Sequence, residues 1–371
     1  MRVDANFDGG NIEVVNSDCA NNIKLNIRKD THSAHKQWFY FRASNIKNVN
    51  CRYIIENADE ASYPEAWDTC TIVASSDRKI WRRIATNFNG KELTFSDNSA
   101  QAICYYALFA PYSYERHMDL IAKSLTYPQC SLLNVIETVN KNQIEVLQIG
   151  TPSSEKKSIW VIARQHPAET MSEWFMEGLL TQLLQDESAD ILTAATFYIV
   201  TNMNPDGAIN GNHRTNSSGL DLNRTWQSPC AQKAPESFFI LALMKQTGVD
   251  LFLDIHGDED IPYTFAAGSE GNPGYSEHIA NLDSRFRQYY HEATSEFVIE
   301  NGYPDDEPNE GDLNIACNQI GYLFNCLSLT IELPFLDNKY QPEAIFGSTP
   351  ERCIALGMKA LSPIKRILPS I

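Results

Sequence analysis

The chain has 371 residues and a mass of 41.9 kDa, more than one ordinary core organises, so length points to two domains. Apolar residues make up 43%, which excludes global disorder. With 30 basic and 47 acidic residues the net charge is −17, a field that opposes binding to nucleic acid and to anionic membrane, although such a surface also serves plain solubility.

The opening residues, MRVDANFDGGNIEVVNSD, lack the apolar stretch of a secretory leader, and no run reaches the roughly 18 apolar residues of a membrane helix. Nine cysteines, an odd number without CxxC spacing, read as reduced and mostly buried thiols of a cytoplasmic protein, not as ligands or nucleophiles. IEVVN, IKLNIR, WFYFRASN, RYIIEN, CTIVASS and ICYYALFA are short runs of strand formers separated by turn clusters such as DGG, NFNG and SDNS. They predict an all-β antiparallel sandwich over residues 1–115, ending where PYSYE (111–115) changes the pattern. Over residues 116–371 strands and helices alternate. IEVLQIG, SIWVIARQ, TFYIVTNMN, VDLFLDIHG and LSLTIELPF read as strands. MSEWFMEGLLTQLLQ, ESFFILALMKQ, the stretch 278–300 and ERCIALGMKALSPIKRIL read as helices. The alternation predicts an α/β domain, a mixed β-sheet flanked by helices.

Four places carry chemistry. HPAE (166–169) follows the strand SIWVIARQ, and in open α/β sheets sites form at that end of a strand. A His and a Glu three apart can aim an imidazole and a carboxylate at one point, a donor set that suits Zn²⁺. His256 ends another predicted strand, so His166, Glu169 and His256 make a candidate three-ligand site with a fourth position open to water. Asp254, two residues earlier on the same strand, shares a face with His256 and is a candidate outer contact. Glu332 lies inside an apolar strand, where desolvation raises a carboxyl pKa towards that of a general base. The polar loop 204–226 holds Arg214 and Arg224, whose guanidinium forks match a carboxylate or a developing oxyanion.

HPAE (166–169), NPDG (204–207), GNHR (211–214), DLNRTW (221–226), DIHGD (254–258) and LTIELPF (329–335), in this order and spacing, resemble the zinc metallocarboxypeptidase superfamily typified by pancreatic carboxypeptidase A. QWFYFRASN (37–45) and FAPYSYE (109–115) resemble the N-terminal β-sandwich of its cytosolic-carboxypeptidase branch, which includes tubulin-deglutamylating enzymes. The resemblance implies a carboxypeptidase fold and hydrolysis of the C-terminal peptide bond of peptides or proteins. It implies one zinc per chain on His166, Glu169 and His256, with Glu332 as general base and Arg214 as oxyanion donor. Asn223 and Arg224 would then hold the substrate carboxylate. The superfamily's mobile tyrosine has no motif to place it; Tyr303 is a candidate set aside from the site.

For the released residue the sequence pulls two ways. The branch points to glutamate or aspartate, yet no Lys or Arg lies between Arg287 and Lys339, and DDEPNEGD (305–312) is acidic, leaving Lys233 on another loop as a possible cation. Two rivals share the motifs in part: a zinc amidohydrolase of the aspartoacylase or succinylglutamate-desuccinylase type, and a catalytically silent peptide-binding module. The peptide terminus is the expected partner, with no role for nucleic acid or membrane.

Overall fold

A computed structural model describes residues 1–188 and 190–371. Nine strands come first: β1 (Arg2–Asp4), β2 (Glu13–Asn16), β3 (Ile23–Asn26), β4 (Tyr40–Ser44), β5 (Asn50–Ile55), β6 (Thr71–Ser75), β7 (Arg82–Phe88), β8 (Leu93–Asn98) and β9 (Ile103–Ala107). Their order is β1-β4-β9-β6-β7-β8-β5-β3-β2. β7 pairs with β6 in one layer and with β8 in the other, so a single ribbon of strands bends into the two layers of a nearly closed sandwich. Inward aromatics fill it: Tyr53 stacks on Phe95 at 4.9 Å and lies 4.8 Å from Tyr106, which touches Phe41. The sandwich is not wholly antiparallel. β3 and β5 run parallel, because the chain between them visits the opposite layer as β4.

The rest of the chain contributes α1 (Tyr114–Ser124), β10 (Cys130–Glu137), β11 (Gln143–Ile149), β12 (Lys157–Ala163), α2 (Thr170–Leu183), α3 (Ile191–Ala194), β13 (Ala195–Val200), α4 (Pro205–Asn210), α5 (Pro235–Thr247), β14 (Leu251–Asp258), β15 (Phe265–Ala267), α6 (Glu277–Ala293), α7 (Ala316–Phe324), β16 (Leu327–Pro334) and α8 (Pro350–Ile367). The sheet order is β10-β11-β13-β12-β14-β16-β15. β13, β12, β14 and β16 are parallel, and the outer strands join antiparallel, which makes the sheet mixed. The parallel strands are buried on both faces, as their near-continuous apolar runs require.

One face of this sheet packs under α2, α6 and α8 and the other under α5 and α7. α2 and α8 cross at two glycines. A Cβ on Gly178 would collide with the carbonyl of Ile354, and one on Gly357 with that of Phe175. The helical reading of 278–300 runs too far: α6 stops at Ala293, Thr294 is extended, and Phe297 bridges to Thr264. No described helix is long and apolar enough to cross a membrane.

Candidate active site

Three parallel neighbours, β12, β14 and β16, deliver the site at their C-terminal ends. Just past β12 the backbone of Arg164 turns into the left-handed region at φ 58°, which swings Gln165 and His166 over the sheet edge. Its guanidinium fixes the turn, donating to the carbonyls of Pro167 (3.1 Å) and Tyr112 (3.1 Å) and to the Glu173 carboxylate. Glu169 is the N-cap of α2, where the positive end of the helix dipole favours a carboxylate. His256 lies on β14 directly opposite Glu332 on β16.

His166, Glu169 and His256 converge. One donor atom from each lies within 4.8 Å of the others, and all three residues are buried. His166 Nδ1 is 2.6 Å from Glu169 Oε1, and His256 Nδ1 is 2.9 Å from Oε2 of the same carboxylate. The Gly257 N–H donates to that Oε2 at 3.0 Å, and a Cβ on Gly257 would meet the Met171 sulfur, so the absent side chain leaves room for Met171 beside Glu169. Both histidines turn Nδ1 inward and Nε2 to a second carboxylate: Asp221 at 3.0 Å for His166 and Asp254 at 3.0 Å for His256. Outer carboxylates of this kind fix the ring orientation of metal-binding histidines. Gln165 holds Asp254 at 2.6 Å and is itself held by the Trp226 indole at 2.8 Å.

The electrostatics fit a divalent cation. Two buried carboxylates, Glu169 and Asp254, and the half-buried Asp221 surround two imidazoles, so with neutral rings the cluster carries excess negative charge. Burial pushes the His256 pKa down, but Asp254 and Glu169 outweigh it and hold it well above the ordinary histidine value; His166 is raised likewise against burial and Arg214 by Glu169 and Asp221. Burial opposes ionisation of Glu169 too, yet the two histidines hold its pKa below the usual carboxylate range. Protons on the rings take up charge that an ion among the same donors would supply, and two imidazoles with a carboxylate are a zinc donor set.

These residues line a cavity of ≈ 740 Å³ together with Glu332, Arg214, Asn223 and Arg224. Burial drives the Glu332 pKa well above the carboxylate range, and its Oε2 has no partner among the described residues. Arg214 Nε donates to Asp221 Oδ2 at 2.7 Å, so one carboxylate orients both His166 and Arg214. The Asn223 side-chain oxygen accepts the Ala316 N–H at 2.8 Å at the start of α7, while exposed Arg224 spends one N–H on the Asn223 carbonyl.

Two residues here went unassigned in the sequence. Asp221 sits two before Asn223, in a motif quoted for other residues, and its role shows only when the loop folds over HPAE. Tyr303, set aside, places its hydroxyl 2.5 Å from Asp258 and 3.4 Å from Glu332 Oε1. Lys233 does not line the cavity, whereas Arg287 does, with its guanidinium bound to Asp283 and to the Ala266 carbonyl.

The profile of the cytosolic carboxypeptidase N-terminal domain matches residues 3–109, and that of the zinc carboxypeptidase family matches residues 114–344. An uncharacterised protein of Zymomonas mobilis is 38% identical over 100% of this chain and 97% of its own length. Mouse cytosolic carboxypeptidase 3 is 29% identical over 72% of this chain, which spans only 30% of the mouse protein. Among solved structures, the metallo-carboxypeptidase of Pseudomonas aeruginosa in complex with (2-guanidinoethylmercapto)succinic acid is 40% identical, with a TM-score of 0.97 over the full length of both chains. That of Burkholderia cenocepacia gives the same three figures. Carboxypeptidase A of Helicoverpa armigera, 16% identical with a TM-score of 0.54 over 81% of this chain and 97% of its own, shares the fold. One catalytic zinc goes with this family, and a carboxypeptidase profile over most of the chain decides against the amidohydrolase. This protein belongs to the zinc carboxypeptidase family, and within it to the metallocarboxypeptidases that carry the cytosolic carboxypeptidase N-terminal domain.

Proposed function

We propose that this metallocarboxypeptidase releases single residues from peptide C-termini with zinc held by His166, Glu169 and His256. Glu332 is the general base, Arg214 the oxyanion donor, and Asn223 with Arg224 the clamp for the terminal carboxylate. One observation carries the reading: the buried Glu332 carboxylate stands beside His256 on adjacent strand ends and faces the same cavity as the three-donor cluster. When bound, zinc supplies Lewis acidity, which polarises a carbonyl and makes water a nucleophile at neutral pH. Glu332 takes a proton at its unpartnered Oε2 and returns it to the leaving amine, a transfer that its raised pKa favours. Arg214, charged under all conditions and braced by Asp221, offers its remaining N–H groups where negative charge develops on the carbonyl oxygen. Arg224 and Asn223 hold the terminal carboxylate and thereby set cleavage one residue from the end. Tyr303, hydrogen-bonded to Asp258 beside the base, lines the same cavity.

The cavity's charge bears on which residue is released. Ten carboxylate residues line it against three arginines, and Arg287 is paired with Asp283. That field favours a basic or neutral terminal side chain over the glutamate of a deglutamylase. The guanidino-succinate bound by the Pseudomonas aeruginosa relative is of the same chemical kind. We place the domain boundary at 1–115 and 116–371. We also place the protein in the cytoplasm, on the N-terminal domain it shares with cytosolic carboxypeptidases and on nine free cysteines. The test combines metal analysis with mass spectrometry of a mixed peptide library, with and without chelator. One zinc per chain and chelator-sensitive loss of Lys, Arg or apolar termini is expected. Absence of C-terminal trimming by the zinc-loaded protein refutes the assignment, and preferential loss of Glu refutes the charge argument alone.

A further inference from the structure

The loop that carries Arg214 is built against the N-terminal sandwich. The Asp30 carboxylate, 4% exposed, accepts three consecutive backbone N–H groups: His213 at 2.6 Å, Arg214 at 2.8 Å and Thr215 at 2.9 Å. The Thr215 hydroxyl adds a fourth bond at 3.1 Å. Buried N–H groups are costly to leave without a partner, so this stretch of backbone depends on a residue more than 180 positions away. The same side of the sandwich supplies further anchors. Thr31 donates to the Asn212 side chain, Asn11 to the Gly211 carbonyl, and Gly9 to the Ile209 carbonyl. Gly219 at φ 79° lies so close to the His32 carbonyl that a Cβ would collide with it.

The sandwich also reaches the guanidinium. Tyr63 Oη accepts a hydrogen bond from Arg214 Nη1 at 2.7 Å, and its ring lies 5.9 Å from Arg214 Cζ. The Tyr63 backbone is clamped from both sides by one amide: its N–H donates to Gln37 Oε1 at 2.8 Å, and its carbonyl accepts from Gln37 Nε2 at 3.1 Å. Asp221 from the loop and Tyr63 from the sandwich thus grip two different nitrogens of Arg214, a two-point fixation that determines where its remaining N–H groups aim.

We infer that the N-terminal sandwich is part of the active site, with Asp30 and Tyr63 as positioning residues for Arg214. This rests on the oxyanion role assigned above to Arg214. Pre-oriented donors act on the transition state and leave ground-state binding alone, so the sandwich contributes to kcat more than to KM.

The test uses the full-length, zinc-loaded protein. Tyr63→Phe keeps the ring and removes only the accepting oxygen. It is expected to lower kcat by roughly tenfold, the scale of one hydrogen bond to a charged group, with KM unchanged. Affinity for a phosphinic peptide, a tetrahedral mimic, falls by the same factor, while affinity for a substituted succinate, a product mimic, stays constant. Asp30→Asn shows the same split and a lower unfolding midpoint. Tyr63→Phe with kcat within twofold of the parent overturns the inference, and so does equal weakening of both inhibitors. The carboxypeptidase reading is judged separately, by zinc content and turnover of the unsubstituted protein, so the two failures are distinguishable.

Discussion

His117 on α1 should make folding stability fall with rising pH between about 6.5 and 9. The imidazole is 1% exposed, with Nδ1 2.7 Å from Glu173 and Nε2 3.0 Å from Glu145. A neutral ring would turn a lone pair on one carboxylate, so the cluster demands the imidazolium. Burial alone would lower the pKa; the two carboxylates overcome it and raise the value to about 9. A base whose folded-state pKa exceeds its unfolded value of 6.5 stabilises fully below 6.5, and that stabilisation disappears as pH climbs through 9. The difference is worth about 3 kcal/mol. His117→Gln removes the titration and leaves an amide that can still donate to one carboxylate. Urea unfolding of both proteins from pH 6 to 10, at fixed excess zinc, isolates the effect because other groups cancel in the difference. The parent should lead by about 3 kcal/mol more at pH 6 than at pH 10. A gap that stays constant or widens with pH refutes the reasoning, as does an imidazole resonance that titrates near 6.5.

Glu332→Gln should keep one zinc per chain and lose about 10²–10⁴-fold in kcat, checked by metal analysis and peptide hydrolysis; retained turnover removes Glu332 from the role of base. Asp221→Asn should weaken zinc binding by about 10–100-fold in a chelator competition, since the acceptor facing His166 Nε2 loses its charge. Gly357→Ala should lower the unfolding free energy by about 1–3 kcal/mol, because the added methyl meets the Phe175 carbonyl across the α2–α8 crossing. Its zinc content should remain at one per chain.

The sequence was most legible where burial is two-sided. β12, β14 and β16 announce themselves as near-continuous apolar runs, and His166, Glu169, His256 and Glu332 stand out because polar residues in or just past such runs are costly without a use. Several strands with polar exposed faces were missed. β7, β8 and β10 carry Arg, Thr, Asn and Ser on exposed positions, and their periodicity is lost in polar surroundings. α7 escaped because its nine residues are short for a helical period to register. Long-range polar contacts had no local signal. Asp221 reads as a loop acid, Asp30 as a turn residue and Tyr63 as an aromatic beside a proline until the chain folds them around Arg214.

This pattern follows from how the two kinds of group are held. The three proposed zinc donors and Glu332 sit on or just beyond parallel strand ends, whose spacing the backbone ladder sets, so a motif in sequence translates directly into a place in space. Arg214 sits on a loop that has no ladder. Its backbone donors are satisfied by Asp30 and its guanidinium by Asp221 and Tyr63, partners drawn from its own loop and from the distant N-terminal sandwich. A loop that must hold a charge in one orientation needs such external bracing, because a freely rotating guanidinium would spend its binding energy on becoming ordered. The sandwich therefore does for Arg214 what the sheet does for the metal donors, and the two modules together form one preorganised site.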